Sequence, residues 1–250
     1  MTDIKLNQDE RIDQLYSKDV KIIQSNHVFS FSLDAVLLAD FVKVSKQKAK
    51  KALDLCSGNG AISLFISDKF PGEIDAVEIQ DRLADMAKRS VKLNQLENKI
   101  HVYTEDLNQA PNFLKPDSYD IVTCNPPYFK SLPQSQKNPN PYLAIARHEI
   151  KVNLHQVIAI SSKMLKMGGK FYLVHRPDRI DEIIAEMKNL RLAPKRIQLI
   201  YPKKDADANM ILVEAIKDGR PGGIKFLSPI ITYDESQEYS IKVKEMLYGK

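Results

Sequence analysis

The sequence has 250 residues with a formal net charge of +5, and 43% of the residues are hydrophobic while 28% are charged. These proportions are typical of a globular protein, and no apolar run approaches the roughly 18–20 residues that a membrane-spanning helix needs. The two cysteines lack the spacing of a metal site, and the first ten residues lack the apolar core of a signal peptide. We therefore expect a cytoplasmic protein without a bound metal, and the modest positive charge permits a polyanionic partner.

Short apolar segments occur near the start of the chain. Residues 20–24 and 28–31 predict two short strands or a hairpin. Ser32 is a suitable N-cap for a helix over residues 33–42, and Asp34 would lie in its first turn. A carboxylate is favoured there by the helix dipole, and a ligand contact is the alternative role for Asp34.

The segment from Asp54 to Gly60 joins a short apolar strand to an apolar helix. Gly58 and Gly60 allow the backbone to approach a ligand, and the N-terminus of the following helix can hold a carboxylate or a phosphate. The pattern predicts the first strand–helix unit of a nucleotide-binding α/β fold. It is not a P-loop, because no Gly-Lys-Ser/Thr follows, and Ser63 stands where a dinucleotide motif has its third glycine.

Two further predicted strands lead into acidic residues. The strand over residues 74–78 ends at Glu78, about 20 residues after the glycine turn, where an acid holds the ribose of an adenosine. The strand over residues 99–103 is followed by Asp106. Because the carboxyl ends of parallel strands meet at one edge of a sheet, we expect Asp54 and these two acids at that edge.

Another apolar strand ends in Asn125-Pro126-Pro127-Tyr128. Each proline fixes φ and offers a carbonyl without a donor, and Asn125 adds a side-chain carbonyl. A rigid turn of acceptors below the aromatic face of Tyr128 suits an exocyclic amino group on a planar ring. The alternative is a simple turn that ends a strand, since Asn-Pro and Pro-Pro are ordinary in loops.

Residues 130–153 contain three prolines, and we predict a long substrate-binding loop over the active site, in which a local salt bridge is the simplest role for Arg147. The elements predicted after it are helices over 154–167 and 179–190 and strands over 171–174, 196–201 and 210–216. The last two strands are too close for a crossover helix and predict an antiparallel hairpin at the end of a mostly parallel sheet. The predicted organisation is an N-terminal extension over 1–31, one α/β domain over 32–217 and a tail over 218–250 with a short helix.

The acids, the glycine turn and Asn-Pro-Pro-Tyr occur in the order found in class I S-adenosylmethionine-dependent methyltransferases, which the chain resembles. The resemblance implies a Rossmann-like fold with a seven-stranded, mostly parallel sheet, an antiparallel last strand and helices on both faces. One departure is Cys56, where the family often has a glycine. Within the family, residues 31–39, the Arg147-His148-Glu149 segment and the glycine-rich tail are similar to the tRNA(Val) adenine-37 N6-methyltransferase group.

The resemblance assigns roles to individual residues. Gly58 and Gly60 would lie against the methionyl part of S-adenosylmethionine, Glu78 would bind its ribose hydroxyls, and Asp106 would accept from its adenine amino group. The other residues assigned to the cofactor site are Asp34, Asp54, Cys56, Ile79, Leu107 and Asn125.

Asn125 and the Pro126 carbonyl would hold the target nitrogen, and Tyr128 would stack on the target base. The implied function is N6-methylation of an adenine in RNA, namely adenine 37 in the anticodon loop of a tRNA, by a monomeric enzyme that uses no metal and no membrane. The alternatives are methylation of a glutamine amide in a protein such as a release factor, methylation of adenine in rRNA or DNA, and a non-catalytic RNA-binding protein of the same fold.

Two further expectations concern side chains outside these motifs. Cys56 and Cys124 follow strands that are neighbours in the family's sheet, so we expect two free thiols close together. Basic residues cluster over Lys43–Lys51 and Lys195–Lys204. Each cluster is either a solvated surface or a contact for RNA phosphates.

Overall fold

The computed structural model describes residues 4–28, 32–45, 49–130 and 139–249. The strands are β1 (Glu10–Leu15), β2 (Val20–Ser25), β3 (Lys51–Leu55), β4 (Glu73–Glu78), β5 (Ile100–Thr104), β6 (Tyr119–Cys124), β7 (Leu165–His175), β8 (Leu192–Tyr201), β9 (Met210–Lys217), β10 (Lys225–Phe226) and β11 (Ile230–Ile231). The helices are α1 (Leu33–Phe41), α2 (Ala61–Ile66), α3 (Asp81–Leu93), α4 (Ala110–Phe113), α5 (Pro141–Arg147), α6 (Leu154–Met164), α7 (Ile180–Asn189) and α8 (Ile241–Tyr248).

Within the described ranges, one sheet of nine strands carries the fold, in the order β10-β8-β9-β7-β6-β3-β4-β5, with β11 also paired to β8. Strands β3 to β7 are parallel, and β9 runs antiparallel to both of its neighbours. The predicted Rossmann-like sheet with its antiparallel strand and terminal hairpin is therefore confirmed. The two-residue strands β10 and β11 were not predicted, because such short segments carry no period.

The core lies on both faces of this sheet. In β3, Ala52 belongs to the hydrophobic cluster beneath α1 and α2, whereas Leu53 and Leu55 belong to the cluster beneath α6 and α7. This alternation follows from the two-residue period of a strand. No helix in the described residues has the length and apolar character needed to cross a membrane.

The N-terminal hairpin differs from its prediction. The first predicted segment is present as β2, and its partner is β1, a polar segment for which no strand was predicted. Of the second predicted segment, residues 29–31 lie outside the described residues. The hairpin is bonded to α3: Ile23 N donates to Ser90 Oγ at 2.9 Å, and Lys21 N donates to Asn94 Oδ1 at 2.9 Å. Side chains of α3 thus satisfy backbone groups along the outer edge of β2.

Helix α6 is shorter than predicted. It ends at Met164, and β7 begins at once with Leu165. Gly168, which we expected to end the helix, lies inside β7 at φ +78°, next to a shift in the pairing of β6 with β7. A glycine can adopt this conformation at little cost, and here it serves an irregularity in a strand.

The prediction of a long substrate-binding loop over residues 130–153 is incomplete, because this region contains the helix α5. Asn140 caps the helix by accepting a hydrogen bond from Tyr142 N at 3.0 Å, and Pro141 occupies its first position. Asparagine at the N-cap and proline at the next position form a recognised helix start, so the signal was present in the sequence. Residues 131–138 lie outside the described part of the chain.

The predicted terminal helix is present as α8, capped by Ser240. Before it, β10 and β11 run parallel to β8 and cover that edge of the sheet. The division of the chain at residues 31 and 217 stays a prediction.

Candidate functional site

A cavity of about 310 Å³ opens where β3, β4, β5 and β6 end. This is the crevice at the carboxyl ends of parallel strands in which α/β proteins bind their ligands. Of the predicted site residues, the structure brings together Asp34, Cys56, Gly58, Glu78, Ile79, Asp106, Leu107, Asn125, Pro126 and Tyr128 as lining residues.

Asp54 and Gly60 do not line the cavity. The Asp54 carboxylate is fully buried and accepts from Ser63 Oγ and from Thr123 Oγ1, both at 2.8 Å. Burial raises its pKa to about 6. A Cβ at Gly60, where φ is +83°, would lie 3.2 Å from the Cβ of Ala87. Both residues therefore hold elements together behind the cavity wall, Asp54 by joining β3 to α2 and β6, and Gly60 by packing against α3.

Glu78 fixes the turn that follows β3. Its Oε2 accepts from Gly58 N at 2.9 Å, and its Oε1 accepts from Gln80 N at 2.8 Å. Burial raises the pKa of this carboxyl. Gly58 lies at φ +56°, and no heavy atom of the chain is within 4 Å of the position that a Cβ would take. The turn is thus held from behind and leaves open space beside its backbone.

Three buried polar atoms on the cavity wall, Ser32 Oγ, Ser57 Oγ and Gln80 Oε1, have no hydrogen-bond partner among the described residues. Buried polar groups in folded proteins are nearly always bonded, so a ligand with several polar atoms suits this wall. Asp106 contributes another acceptor, because its bonds to Asn108 use only Oδ1. This donor and acceptor set fits the hydroxyl, amino and carboxylate groups of S-adenosylmethionine.

Opposite this wall, Tyr128 and Asn125 form a bonded group with Asp34. The Tyr128 hydroxyl lies 2.7 Å from Asp34 Oδ2 and 2.6 Å from Asn125 Oδ1. A phenol has one proton, and the carboxylate is the stronger acceptor. Turning the Asn125 amide by 180° places its NH₂ donor against the phenol oxygen, which satisfies all three groups and frees Oδ1 to accept another bond. Burial and the neighbouring Asp34 carboxylate raise the pKa of Tyr128, which stays a neutral donor.

Tyr128 is also held by residues for which no function was predicted. Its ring centre lies 5.3 Å from that of His175, which is buried at the end of β7. Burial lowers the pKa of His175 to about 4. Arg179 donates to the Tyr128 carbonyl at 3.4 Å and to Glu149 Oε1 at 2.7 Å. The position of His175 at a strand end was a usable signal, since the other site residues share that edge.

The salt bridge expected for Arg147 is not formed among the described residues. The carboxylate of its neighbour Glu149 pairs instead with Arg179. Arg147 and Lys151 line the same cavity as Asn125 and Tyr128, and neither has an ion-pair partner among the described side chains.

The two cysteines are close together, as predicted, and both are free. Burial and the neighbouring Cys56 thiol raise the pKa of Cys124. Cys56 adopts φ +55°, the left-handed conformation in which a glycine is unstrained. The glycine that the resemblance implies for this position would be unstrained there, whereas the cysteine side chain interacts with Cys124.

Comparison with known proteins identifies the likeness independently. Residues 19–190 match the family model of the methyltransferase small domain. A tRNA1(Val) (adenine(37)-N6)-methyltransferase of Parabacteroides distasonis is 26% identical over 217 residues, covering 85% of this chain and 88% of the relative. The protein of the same description from Bacteroides fragilis is 26% identical over 222 residues, covering 87% and 90%. A crystal structure from Agrobacterium tumefaciens, described as a predicted O-methyltransferase, superposes with a TM-score of 0.67 at 26% identity, covering 86% of this chain and 96% of that one.

Proposed function

From the premise that this chain belongs to the methyltransferase small domain family, we propose that it uses S-adenosylmethionine to methylate N6 of an adenine in RNA. The substrate we infer is adenine 37 of a valine tRNA, on which the curated relatives act by name. One observation carries the proposal: a single cavity is lined both by the acids Glu78 and Asp106, which follow β4 and β5, and by Asn125-Pro-Pro-Tyr, which follows β6 on the other side of β3.

The first wall holds the cofactor, which supplies an electrophilic methyl group on a sulfonium. Glu78 accepts from the ribose hydroxyls with the lone pairs that its two backbone bonds leave over. Asp106 accepts from the adenine amino group through Oδ2. The open space beside Gly58 admits the methionyl part to close contact with the backbone.

The second wall acts on the target nitrogen. The N6 lone pair of adenine is delocalised into the ring and is a poor nucleophile. Asn125 Oδ1 and the Pro126 carbonyl accept hydrogen bonds from the two N–H groups of the amino nitrogen. These two bonds localise its lone pair and direct it at the methyl group. Displacement in line then depends on alignment more than on an acid or base. The protonated amine that results is acidic and releases its proton to water.

An RNA substrate must present an unstacked adenine to this cavity. A single-stranded loop does so for at most a few kcal/mol, which favours an anticodon loop over a duplex. A tRNA substrate accords with a cytoplasmic enzyme. We also infer that the enzyme acts as a monomer, because one chain supplies all the residues that line the cavity.

The test is transfer of labelled methyl groups from S-adenosylmethionine to separate tRNA, rRNA, DNA and release-factor pools. We expect label in the tRNA pool and its loss from a valine tRNA transcript in which guanine replaces adenine 37. Label in the release factor would establish a glutamine methyltransferase instead, and label confined to rRNA or DNA would reassign the substrate. A protein that binds RNA and transfers no label would be a binding protein.

A further inference from the structure

The residue after the Asn-Pro-Pro-Tyr turn has no part in methyl transfer as described, yet it is mounted firmly at the cavity. Phe129 lines the cavity and leaves 43% of its surface open to solvent. Its N–H donates to Arg147 O at 3.0 Å, and its carbonyl accepts from Glu149 N at 2.8 Å. A large apolar side chain held in solvent by its own backbone bonds is an aromatic surface that a ligand can cover.

An arginine and a histidine lie beside this ring. The Arg176 guanidinium carbon lies 5.3 Å from the ring centre, and the ring of His148 lies 5.7 Å away, centre to centre. Arg147 and Lys151 line the same cavity without an ion-pair partner among the described residues. Of the acids nearby, Asp178 is paired with Arg176 and Glu149 with Arg179, so Arg147 and Lys151 are the cations left without an acidic partner among the described side chains.

An exposed aromatic ring beside unpaired cations suits a nucleotide, since every base has a face that stacks and every phosphate needs a counter-charge. In the proposed function, the target adenine lies against Asn125 and Tyr128. Phe129 directly follows Tyr128 in the chain and is open to solvent, so the nucleotide that adjoins the target is the one within its reach.

We propose that Phe129, Arg147 and Lys151 form a binding site for the nucleotide next to the target adenine. Phe129 stacks on its base, and the two cations contact the flanking phosphates. This site rests on the proposed function in one respect, namely that the substrate is RNA. It gives the enzyme a means to read sequence context as well as the target base.

The stacking half is tested by a double-mutant cycle in the presence of S-adenosylhomocysteine, which prevents turnover. Wild type and Phe129→Ala are titrated with an anticodon stem-loop and with the same RNA made abasic at the neighbour on either side of the target. Phe129→Ala should weaken binding of the intact RNA about 5- to 150-fold. At one of the two neighbours, the abasic substitution should weaken RNA binding by wild type to a similar extent and should not weaken binding by Phe129→Ala any further. If the loss of affinity from Phe129→Ala and the loss from the abasic substitution multiply at both neighbours, the two changes are independent and the proposal is overturned.

Further variants separate stacking from folding. Phe129→Tyr should restore binding, whereas Phe129→Leu, which keeps apolar bulk without a π face, should not. Phe226→Ala is the matched control, because Phe226 is 65% exposed on β10 at the opposite end of the sheet and should bind as wild type. S-adenosylmethionine affinity should be the same in every variant. Phe129→Leu with wild-type RNA affinity would show that the aromatic face is not used.

The phosphate half is tested by the salt dependence of binding. Arg147→Ala and Lys151→Ala should each reduce the slope of log affinity against log salt by about 0.7, the value for one contact on a single strand. Unchanged slopes would remove both residues from the site. If wild type transfers no methyl group to any RNA, the proposed function fails and this site with it. If wild type methylates RNA and the cycle shows no coupling, only this site is rejected.

Discussion

At the scale of single residues, the proposed chemistry depends on which end of the Asn125 amide faces the target. The Tyr128 hydroxyl decides this, because its single proton goes to Asp34. The Asn125 amide, whose Oδ1 lies 2.6 Å from the phenol oxygen, is therefore assigned the orientation turned by 180°, with its nitrogen toward that oxygen. Asp34 was expected at a helix start or against a ligand. The structure gives it a third role, which is to hold Tyr128 and, through it, the orientation of Asn125.

Asn125→Ala should lower turnover and leave cofactor binding intact. Loss of one preorganised contact to a reacting group typically reduces turnover about 10²–10³-fold, by analogy with an oxyanion-hole donor. The affinity for S-adenosylmethionine should change less than roughly threefold, because Glu78 and Asp106 on the other wall are untouched. Labelled methyl transfer and calorimetry measure the two quantities. Methylation at the wild-type rate would mean that Asn-Pro-Pro-Tyr is only a turn.

Glu78→Ala should have the opposite pattern. If Glu78 binds the ribose as proposed, the change removes a charge-assisted pair of hydrogen bonds and should weaken S-adenosylmethionine binding by about 1.5–3 kcal/mol. It also leaves the backbone N–H groups of Gly58 and Gln80 without their acceptor, so the protein should unfold at a lower denaturant concentration. Glu105→Ala, an exposed acid that also lines the cavity, is the control. Calorimetry that gives wild-type affinity for Glu78→Ala would rule out the ribose contact.

His175 should make stability depend on pH. Its pKa in the folded protein is lowered to about 4 from an ordinary value of 6.5, because the imidazole is buried. Between those values the unfolded chain binds more protons than the folded one, so stability falls as pH falls from about 6.5 to 4. The contribution is about 3 kcal/mol over the whole window.

The measurement is the free energy of unfolding in urea at pH 7.5 and pH 5. His175→Gln should lose less stability over this interval than wild type does. His27→Gln, at an exposed position, should behave as wild type does. Equal losses for wild type and His175→Gln would contradict the assignment.

At the scale of elements, the N-terminal hairpin depends on side chains of α3. Ser90 Oγ accepts from the buried Ile23 N–H, and Asn94 bonds the Lys21 backbone at the solvent-exposed end of the same strand. Ser90→Ala leaves a buried donor unsatisfied and should lower the free energy of unfolding by about 1–3 kcal/mol. Asn94→Ala should lower it less, because water can replace exposed bonds. Urea unfolding of both variants checks the order, and a greater loss for Asn94→Ala would reverse the argument.

The sequence predicted the elements whose apolar pattern is strong and missed those that other forces specify. Strands β3, β4 and β6 are buried on both faces, and their apolar runs identified them. Strand β1 lies in an exposed hairpin and is mostly polar, so it lacks the alternating hydrophobic pattern that would predict a strand. The end of α6 was placed at Gly168 because a glycine commonly ends a helix. Only the pairing of β6 with β7 shows that this residue serves a strand.

The candidate site was predictable to the extent that strand ends converge. Glu78 and Asp106 line the cavity as the rule about parallel strand ends predicts, because this rule needs no side-chain detail. The other residues that line it, such as Asp34 in α1, were assigned by the resemblance to the family. Asp54 departs from the rule, because its side chain points to the α1 and α2 face, where Ser63 and Thr123 hold it. Phe129, His175 and Arg179 were missed because their roles come from contacts between segments that are far apart in the sequence.

At the scale of the whole molecule, the basic residues lie at different ends of the sheet strands. The cavity is at the edge formed by the carboxyl ends of the parallel strands, and the opposite edge is formed by their amino ends. Lys50 and Lys51 lie at the amino end of β3, five residues before the cavity edge. Lys203 and Lys204 follow β8, whose carboxyl end lies at the same edge as the cavity, three strands or about 14 Å from the end of β6. Lys46 and Lys48 of the first cluster lie outside the described residues. The fold therefore places Lys203 and Lys204 at the cavity edge and Lys50 and Lys51 at the other edge, a distinction that composition alone does not make.

RNA affinity should fall linearly with salt on logarithmic axes, and the slope should depend on which edge is changed. A double variant Lys203→Ala/Lys204→Ala should reduce the slope by about 1.4–1.8, because each phosphate contact contributes about 0.7–0.9. The double variant Lys50→Ala/Lys51→Ala removes the same charge from exposed lysines at the far edge and should leave the slope unchanged. Binding of a valine tRNA measured from about 50 to 200 mM salt covers the range over which such slopes are read. A flat response in wild type would make both clusters solvated surface. Equal slope changes in the two variants would show that the RNA contacts both edges, and that the carboxyl edge is not the sole docking side.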